Sequence, residues 1–223
     1  KLKKSFSYAL RHSLPIFAGF LPLGLAYGVL MQNAGYNALW TGATCLFVFA
    51  GSLQFLMISF FTGAVSYVTV AVMALLVNSR HIFYGISLIE KFRNFGLWKY
   101  YLIYSLTDEN YSLHCSAKME EGMDEKWTYI FTATLTLLYW TVSCVLGSLI
   151  GTLITIDMTG VDFALTALFV TILLDQLKDA VSRLPAVVAM FSSIICLLIF
   201  GPDNFILPSL IITVAALTVL RHT

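Results

Sequence analysis

The sequence has very little charge for its length. Of its 223 residues, 11% are charged and 59% are hydrophobic, whereas about a quarter of a typical soluble domain is charged. A chain of 24.8 kDa with this composition has too few polar side chains to cover a water-soluble surface, and its mean hydropathy of +0.84 agrees. The composition excludes an ordinary soluble domain and predicts an integral membrane protein.

The sequence also lacks a basic excess and any closely spaced cysteine pair. Its 13 basic and 12 acidic residues leave a net charge of +1, which excludes a nucleic-acid-binding protein that relies on phosphate contacts. Cys45, Cys115, Cys144 and Cys196 are far apart, and none forms a CxxC pair. We interpret them as small apolar side chains, and we predict no metal site and no cofactor.

Long apolar runs occupy most of the chain. A helix needs about 20 residues to cross a bilayer, and long uncharged runs favour helices over the short alternating strands of a barrel. The runs cover residues 14–31, 38–62, 65–89, 100–116, 128–154, 162–176, 185–200 and 205–220. We predict one all-α, multi-pass transmembrane domain over residues 1–223, with no separate soluble domain.

The positions of lysine and arginine indicate a topology. They form five clusters, at residues 1–11, 91–99, 118–126, 178–183 and 221. Because cytoplasmic loops are enriched in these residues, we place all five clusters and both termini in the cytoplasm. This arrangement gives six crossings and makes the runs 38–62 and 100–116 broken or re-entrant segments. The alternative makes both runs full crossings, which gives eight.

The run 38–62 has a weak point at its centre. Ala50, Gly51 and Ser52 stand there; glycine weakens a helix and serine caps a new one. A half-helix that begins near Ser52 would direct free N–H groups and the positive end of its dipole at an anion such as a carboxylate. Gly51, Ser52 and the nearby Gln54 are therefore candidate binding residues. The alternative is close helix packing around small side chains.

A second polar group interrupts the run 65–89. It contains Asn78, Arg80, His81 and Tyr84. Ionisable side chains at membrane depth cost about 2.5–3.5 kcal/mol each on insertion scales, so they are functional candidates by default. Helical spacing places Arg80 and Tyr84 on one face. Arg80 needs an anion or a path to water, and His81 can titrate near physiological pH. The alternative is an interfacial Arg80 that reaches the lipid headgroups.

A third polar group contains two adjacent carboxylates, Asp108 and Glu109, followed by Asn110. Two carboxylates this close do not both stay charged in a dry site. We expect that one of them carries a proton or that one pairs with Arg80. The alternative is a solvated turn at the cytoplasmic interface. We interpret Asp162 as a solvated helix start.

Small residues at four-residue spacing form two stripes. The first contains Gly24 and Gly28, and the second contains Ser143, Gly147 and Gly151. Such stripes let helices approach closely, within one chain or between chains. The sequence leaves open whether the second stripe packs inside the chain or forms a homo-oligomer.

Five motifs together carry a family resemblance. They are Pro22-Leu23-Gly24 with Tyr27-Gly28, Phe49-Ala50-Gly51-Ser52 with Gln54-Phe55, Asn78-x-Arg80-His81 with Tyr84-Gly85 and Ser87-Leu88, Asp108-Glu109, and Gly160-Val161-Asp162-Phe163-Ala164-Leu165. In this combination the chain resembles the AzlC family of branched-chain amino-acid exporters over residues 13–220. The resemblance implies a secondary transporter, the large subunit of a two-component permease. Its partner would be a small hydrophobic membrane protein of the AzlD family.

From this resemblance we expect a transporter and not an enzyme. It would export branched-chain and similar hydrophobic amino acids across the bacterial inner membrane, driven by the proton gradient. The candidate substrate-binding residues are Gly51, Ser52, Gln54 and Asn78. The candidate proton-coupling or charge-network residues are Arg80, His81, Tyr84, Asp108 and Glu109.

Two other classes of function compete with export. A channel or a non-transporting scaffold is the first, although a channel usually needs rings of polar residues and here the polar positions are clustered. An intramembrane hydrolase with Ser52 as nucleophile and His81 as its base is the second. The residue after Ser52 is Leu53, which does not provide the glycine of a tight nucleophile turn.

Overall fold

The computed structural model describes residues 1–63, 65–153, 183–201 and 205–221, with isolated positions at 170, 174 and 177. Throughout these residues the regular structure is helical and no strand occurs, so the all-α prediction is confirmed for this part of the chain. The predicted span 162–176 and the motif at 160–165, with Asp162, lie outside the described residues.

The described residues form helices of very different lengths. Their bounds are α1 Leu2–Asn33, α2 Ala38–Phe47, α3 Gly51–Thr62, α4 Tyr67–Phe92, α5 Trp98–Tyr104, α6 Asp108–Ser116, α7 Glu125–Leu153, α8 Leu184–Phe200 and α9 Ile206–Arg221. Among them, α1, α4 and α7 are long and apolar enough to cross a membrane. They match three of the predicted crossings. The total of six or eight crossings stays a prediction.

Two compact units make up the chain. The first contains Lys1–Ala64 and Val77–Asp157, and the second contains Val65–Leu76 and Met158–Thr223. Every candidate site residue belongs to the first unit. In the second unit α8 packs against α9. The single transporter domain over residues 1–223 stays a prediction.

The first unit is built on a very close contact between α1 and α7. A Cβ atom added to Gly28 would lie 1.9 Å from the carbonyl oxygen of Cys144, and one added to Gly147 would lie 2.2 Å from the carbonyl oxygen of Leu25. Only glycine lets the two backbones come this close. The two small-residue stripes therefore meet each other inside one chain, and the second stripe is not a free surface for a homo-oligomer.

The run 38–62 is divided into α2 and α3, as the sequence predicts. Phe49 has a φ of +38°, in the left-handed region that side chains with a Cβ rarely adopt. Ala50 is extended, and α3 begins at Gly51. The break therefore falls at the small residues that predicted it, and it leaves the start of α3 inside the unit.

The run 100–116 is divided in the same way, into α5 and α6. The hydroxyl of Thr107 accepts a hydrogen bond from the N–H of Asn110 at 3.3 Å, which is the contact of a helix N-cap. Asp108 and Glu109 fill the first turn of α6, where a carboxylate is stabilised by the positive end of the helix dipole. Thr107 thus fixes where the acidic pair begins its helix.

Candidate functional site

Arg80 joins the starts of the two half-helices α3 and α6. Its Nη1 atom donates to Oδ2 of Asp108 at 2.5 Å, and its Nη2 atom donates to the hydroxyl of Ser52 at 3.2 Å. Ser52 lies in the first turn of α3 and Asp108 in the first turn of α6. One guanidinium on α4 therefore connects both helix breaks. Of the two acidic residues, Asp108 is the one that pairs with Arg80.

Asp108 has a second donor on α4. Tyr84 lies one turn beyond Arg80, and its hydroxyl donates to Oδ1 of Asp108 at 2.7 Å. The ring of Tyr84 stacks on that of Tyr111, with ring centroids 4.5 Å apart and an angle of 17° between the rings. Both carboxylate oxygens of Asp108 are thus held, and the shared face of Arg80 and Tyr84 predicted from helical spacing is confirmed.

The ion pair is only partly enclosed. The side chains of Arg80 and Asp108 are 30% and 43% exposed, although Arg80 lies near the middle of the 26-residue helix α4. Charged side chains at membrane depth face a protein interior or a water-filled cavity rather than lipid. Part of each charged group is therefore left uncovered by this chain.

The ends of α2 and α5 also meet. Tyr104 is the last residue of α5, and its hydroxyl donates to the carbonyl oxygen of Leu46 near the end of α2. That carbonyl is among the last four of a helix, which have no partner within the helix. The ring centroid of Phe49 lies 6.5 Å from that of Tyr104. The two broken segments thus contact each other before their breaks and are linked through Arg80 after them.

Gln54 lies deeper than Ser52, and its amide is used within the protein. The side chain is 0% exposed. Trp140 of α7 donates from Nε1 to its Oε1 atom at 2.8 Å, and Gln54 donates from Nε2 to Sγ of Cys45 on α2 at 3.3 Å. Gln54 therefore ties the start of α3 to its neighbours. Its predicted contact with a substrate stays a prediction.

Asn110 anchors α6 as Gln54 anchors α3. It is 0% exposed, it donates to the carbonyl oxygen of Ser105 at 2.6 Å, and its Oδ1 atom accepts from the hydroxyl of Thr136 on α7 at 2.8 Å. The role of Asn110 was not predicted, although an amide within an apolar run is a signal for a buried hydrogen-bonding residue. Helix α7 is therefore the common support for both half-helices.

The remaining candidates surround the ion pair. Oδ1 of Asn78 and Nε of Arg80 are buried and have no hydrogen-bond partner within the described part of the chain. The ring of His81 lies 5.9 Å from that of Tyr84, between centroids. Gly51 begins α3, and Glu109 is the half-buried neighbour of Asp108. Within the described residues, no group of three or more His, Cys, Asp and Glu side chains is placed to hold a metal ion.

The contacts of Ser52 do not fit the hydrolase alternative. A serine nucleophile needs its base within hydrogen-bond reach. The hydroxyl of Ser52 is instead hydrogen-bonded to Arg80, and the described contact of His81 is with Tyr84. What the site offers is a cation, an anion and the start of a half-helix at one place. Interrupted helices whose ends meet charged groups are the usual site of membrane transporters.

Comparison with known proteins identifies the family. The family described as AzlC protein matches residues 15–154. The chain is 36% identical to the branched-chain amino acid transport protein AzlC of Bacillus subtilis (strain 168), over 97% of this chain and 85% of the relative. The chain therefore belongs to the AzlC family, as its motifs predict, and it is a membrane protein of a transport family.

Other relatives carry less specific names. An uncharacterized membrane protein of Haemophilus influenzae is 34% identical over 94% of this chain and 84% of the relative. Inner membrane protein YgaZ of Escherichia coli (strain K12) is 25% identical over 66% of this chain and 60% of the relative. No solved structure gives a significant match. The names are those of transport or membrane proteins, in line with the prediction that this chain is not an enzyme.

Proposed function

We propose that this protein is a secondary transporter that exports branched-chain and similar hydrophobic L-amino acids across the bacterial inner membrane. One observation carries the proposal: Arg80 is bonded both to Ser52 and to Asp108, so charges of both signs meet at two helix breaks. An amino acid presents a carboxylate and an ammonium group, which need partners of both signs. The name of the Bacillus relative supports the substrate class.

In this proposal the substrate carboxylate binds at the start of α3. The first N–H groups of a helix have no partner within the helix, and the dipole favours an anion there. Gly51 and Ser52 supply these groups, while Gln54 holds the helix start in place from behind. The ammonium group binds Asp108, with Glu109 or the buried Oδ1 atom of Asn78 beside it.

The apolar side chain of the substrate contributes affinity but little discrimination. One methylene group in an apolar pocket changes binding by about 1–3 kcal/mol. We therefore expect valine, leucine, isoleucine and methionine all to be exported. Competition between these four amino acids in one assay measures the range directly.

We also propose that export is coupled to protons and requires a small AzlD-like membrane subunit. Asp108, Glu109 and His81 are the groups that can gain or lose a proton between the inward and outward states. In this proposal both chain termini lie in the cytoplasm, as the clusters of lysine and arginine indicate. Arg80 neutralises Asp108 in the state seen here, which lowers the cost of keeping a carboxylate at this depth.

The experiment is leucine efflux from proteoliposomes that contain this chain and its small subunit. Saturable efflux that increases with a pH gradient supports the proposal. Flux that rises linearly with concentration would favour a channel, and absence of flux from an intact complex would contradict transport of this substrate. The variant Ser52→Ala should slow efflux, whereas Ser59→Ala, at an exposed position of the same helix, should not.

A further inference from the structure

Arg80 and Asp108 can each bind a new partner if their ion pair separates. A guanidinium has five N–H donors in a planar fork. In Arg80 one nitrogen bonds Asp108, one bonds Ser52, and the buried Nε has no partner within the described residues. Arg80 therefore has donors in reserve, and a second carboxylate would meet the fork geometry that such groups prefer.

Asp108 does not depend on Arg80 alone. Tyr84 donates to its Oδ1 atom, and Arg80 occupies only Oδ2. The stacking of Tyr84 on Tyr111 fixes the donor hydroxyl in place. If Arg80 moves to another anion, Asp108 keeps one strong hydrogen bond and gains a free oxygen for a cation.

The helices behind the pair are held independently of it. Gln54 of α3 is bonded to Trp140, and Asn110 of α6 is bonded to Thr136. Both supporting residues lie on α7. Opening the ion pair therefore removes the Arg80 link between the two helix starts without detaching either helix from its support.

On the basis of the proposed function, we propose that the Arg80–Asp108 ion pair is itself the substrate receptor and works by charge exchange. The carboxylate of the amino acid replaces Asp108 on Arg80, and its ammonium group replaces Arg80 on Oδ2 of Asp108. One ion pair becomes two, and the total charge of the site does not change. The site is therefore specific for zwitterions, and occupation by substrate separates the starts of α3 and α6.

A ligand with a single charge fails in this site for an electrostatic reason. 4-Methylpentanoate has the carbon skeleton and carboxylate of leucine without its ammonium group, and 3-methylbutylamine has the ammonium group without the carboxylate. Either ligand would divide the pair and leave one protein charge without a partner of opposite sign, whereas leucine leaves both charges paired. Both should bind wild-type protein at least about tenfold more weakly than leucine does.

The test is equilibrium binding of these three ligands to the complex with its small subunit. In Asp108→Asn the anionic analogue should gain about tenfold in affinity relative to wild type, since Arg80 is then unpaired. In Arg80→Gln the cationic analogue should gain similarly, and leucine should lose affinity in both variants. The control is Glu90→Gln: Glu90 lies on α4 and forms an exposed ion pair with Arg93, just beyond the end of the helix. Its ligand preference should stay that of wild type.

Several results would overturn charge exchange. If wild-type protein binds the singly charged analogues as tightly as it binds leucine, charge exchange is wrong. This result needs no variant, so it stands even if the variants fail to fold. Unchanged analogue preference in folded Asp108→Asn and Arg80→Gln would make the pair a structural contact only, and the proposed function would stand if leucine were still exported. Absence of leucine efflux from wild-type protein would overturn the proposed function and this inference together.

Discussion

At the scale of single residues, the hydroxyl of Tyr84 is the most selective probe of the ion pair. It donates to Asp108 at 2.7 Å while its ring stacks on Tyr111. Tyr84→Phe removes the bond and keeps the stacking. Because a hydrogen bond to a charged group is worth about 1.5–3 kcal/mol, its loss should lower thermal stability, and leucine binding should weaken several-fold since Asp108 is then less well held. Tyr67→Phe, at a position 93% exposed on the same helix, should change neither, and equal effects of the two variants would contradict the assignment.

His114 gives a prediction in the opposite direction. It is 0% exposed, neither ring nitrogen has a hydrogen-bond partner in the described part of the chain, and its ring lies edge-on to Phe92 and Tyr129, with centroids 5.7 and 5.0 Å away. Replacing an unpaired buried polar group by an apolar group of similar shape is neutral or stabilising. His114→Phe should therefore unfold at the same or a higher temperature and retain transport. A stable variant without transport would instead assign His114 a part in moving protons.

Residue partners across long stretches of sequence were the hardest feature to predict. Arg80 and the acidic pair were found as costly charges in apolar runs, but the choice of Asp108 depends on where Thr107 begins α6. Gln54 was predicted as a binding residue, while its partner Trp140 is 86 positions away. Spacing along one helix predicts neighbours on that helix, and it gives no information on which residue of another helix they meet.

At the scale of helices, the contact between α1 and α7 determines whether the first unit can form. Gly28→Ala places a Cβ atom 1.9 Å from a backbone oxygen, so the helices must move apart, at a cost of about 1–3 kcal/mol or more. Gly19→Ala, on the same helix with nothing within 4 Å, should be neutral or stabilising by up to about 1 kcal/mol because alanine favours helix. Thermal unfolding of both variants in detergent measures the difference, and equal stability would show that the helices are not in this contact.

The breaks in the helices differ in how well the sequence indicates them. The break before Gly51 follows from small residues in the middle of a run, and the structure confirms it. The break before Asp108 was expected from polarity and is fixed by the Thr107 cap. The sequence did not predict which helix packs against the second small-residue stripe. Such a stripe shows that another helix can pack closely there, but it does not identify that helix.

At the scale of the whole molecule, the connection between α4 and α5 distinguishes six crossings from eight. Asn94 lies in the exposed connection between α4 and α5, which is cytoplasmic with six crossings and external with eight. In a Cys115→Ser background, Asn94→Cys should resist a membrane-impermeant maleimide in intact cells and react after permeabilisation. Ala34→Cys, in the connection after α1, should react from outside in both cases. Labelling of both positions in intact cells would favour eight crossings.

At this scale, recognising the class of the protein needs less sequence information than predicting its internal contacts does. A composition with 59% hydrophobic and 11% charged residues is sufficient to recognise a membrane protein, and five short motifs are sufficient to recognise the family. The division into two units is different. It depends on which apolar faces pack together, and apolar runs of similar composition do not distinguish one packing partner from another.

The most direct single measurement is leucine efflux by Asp108→Asn compared with wild type, in proteoliposomes with the small subunit and an imposed pH gradient. The structure places the carboxylate of Asp108 between Arg80 and Tyr84, so we predict saturable efflux for wild type and a loss of at least about tenfold for the variant. Glu90→Gln, which neutralises an exposed acid on α4, should retain wild-type efflux. Wild-type efflux by a correctly folded Asp108→Asn complex would show that the site of transport lies elsewhere in the protein.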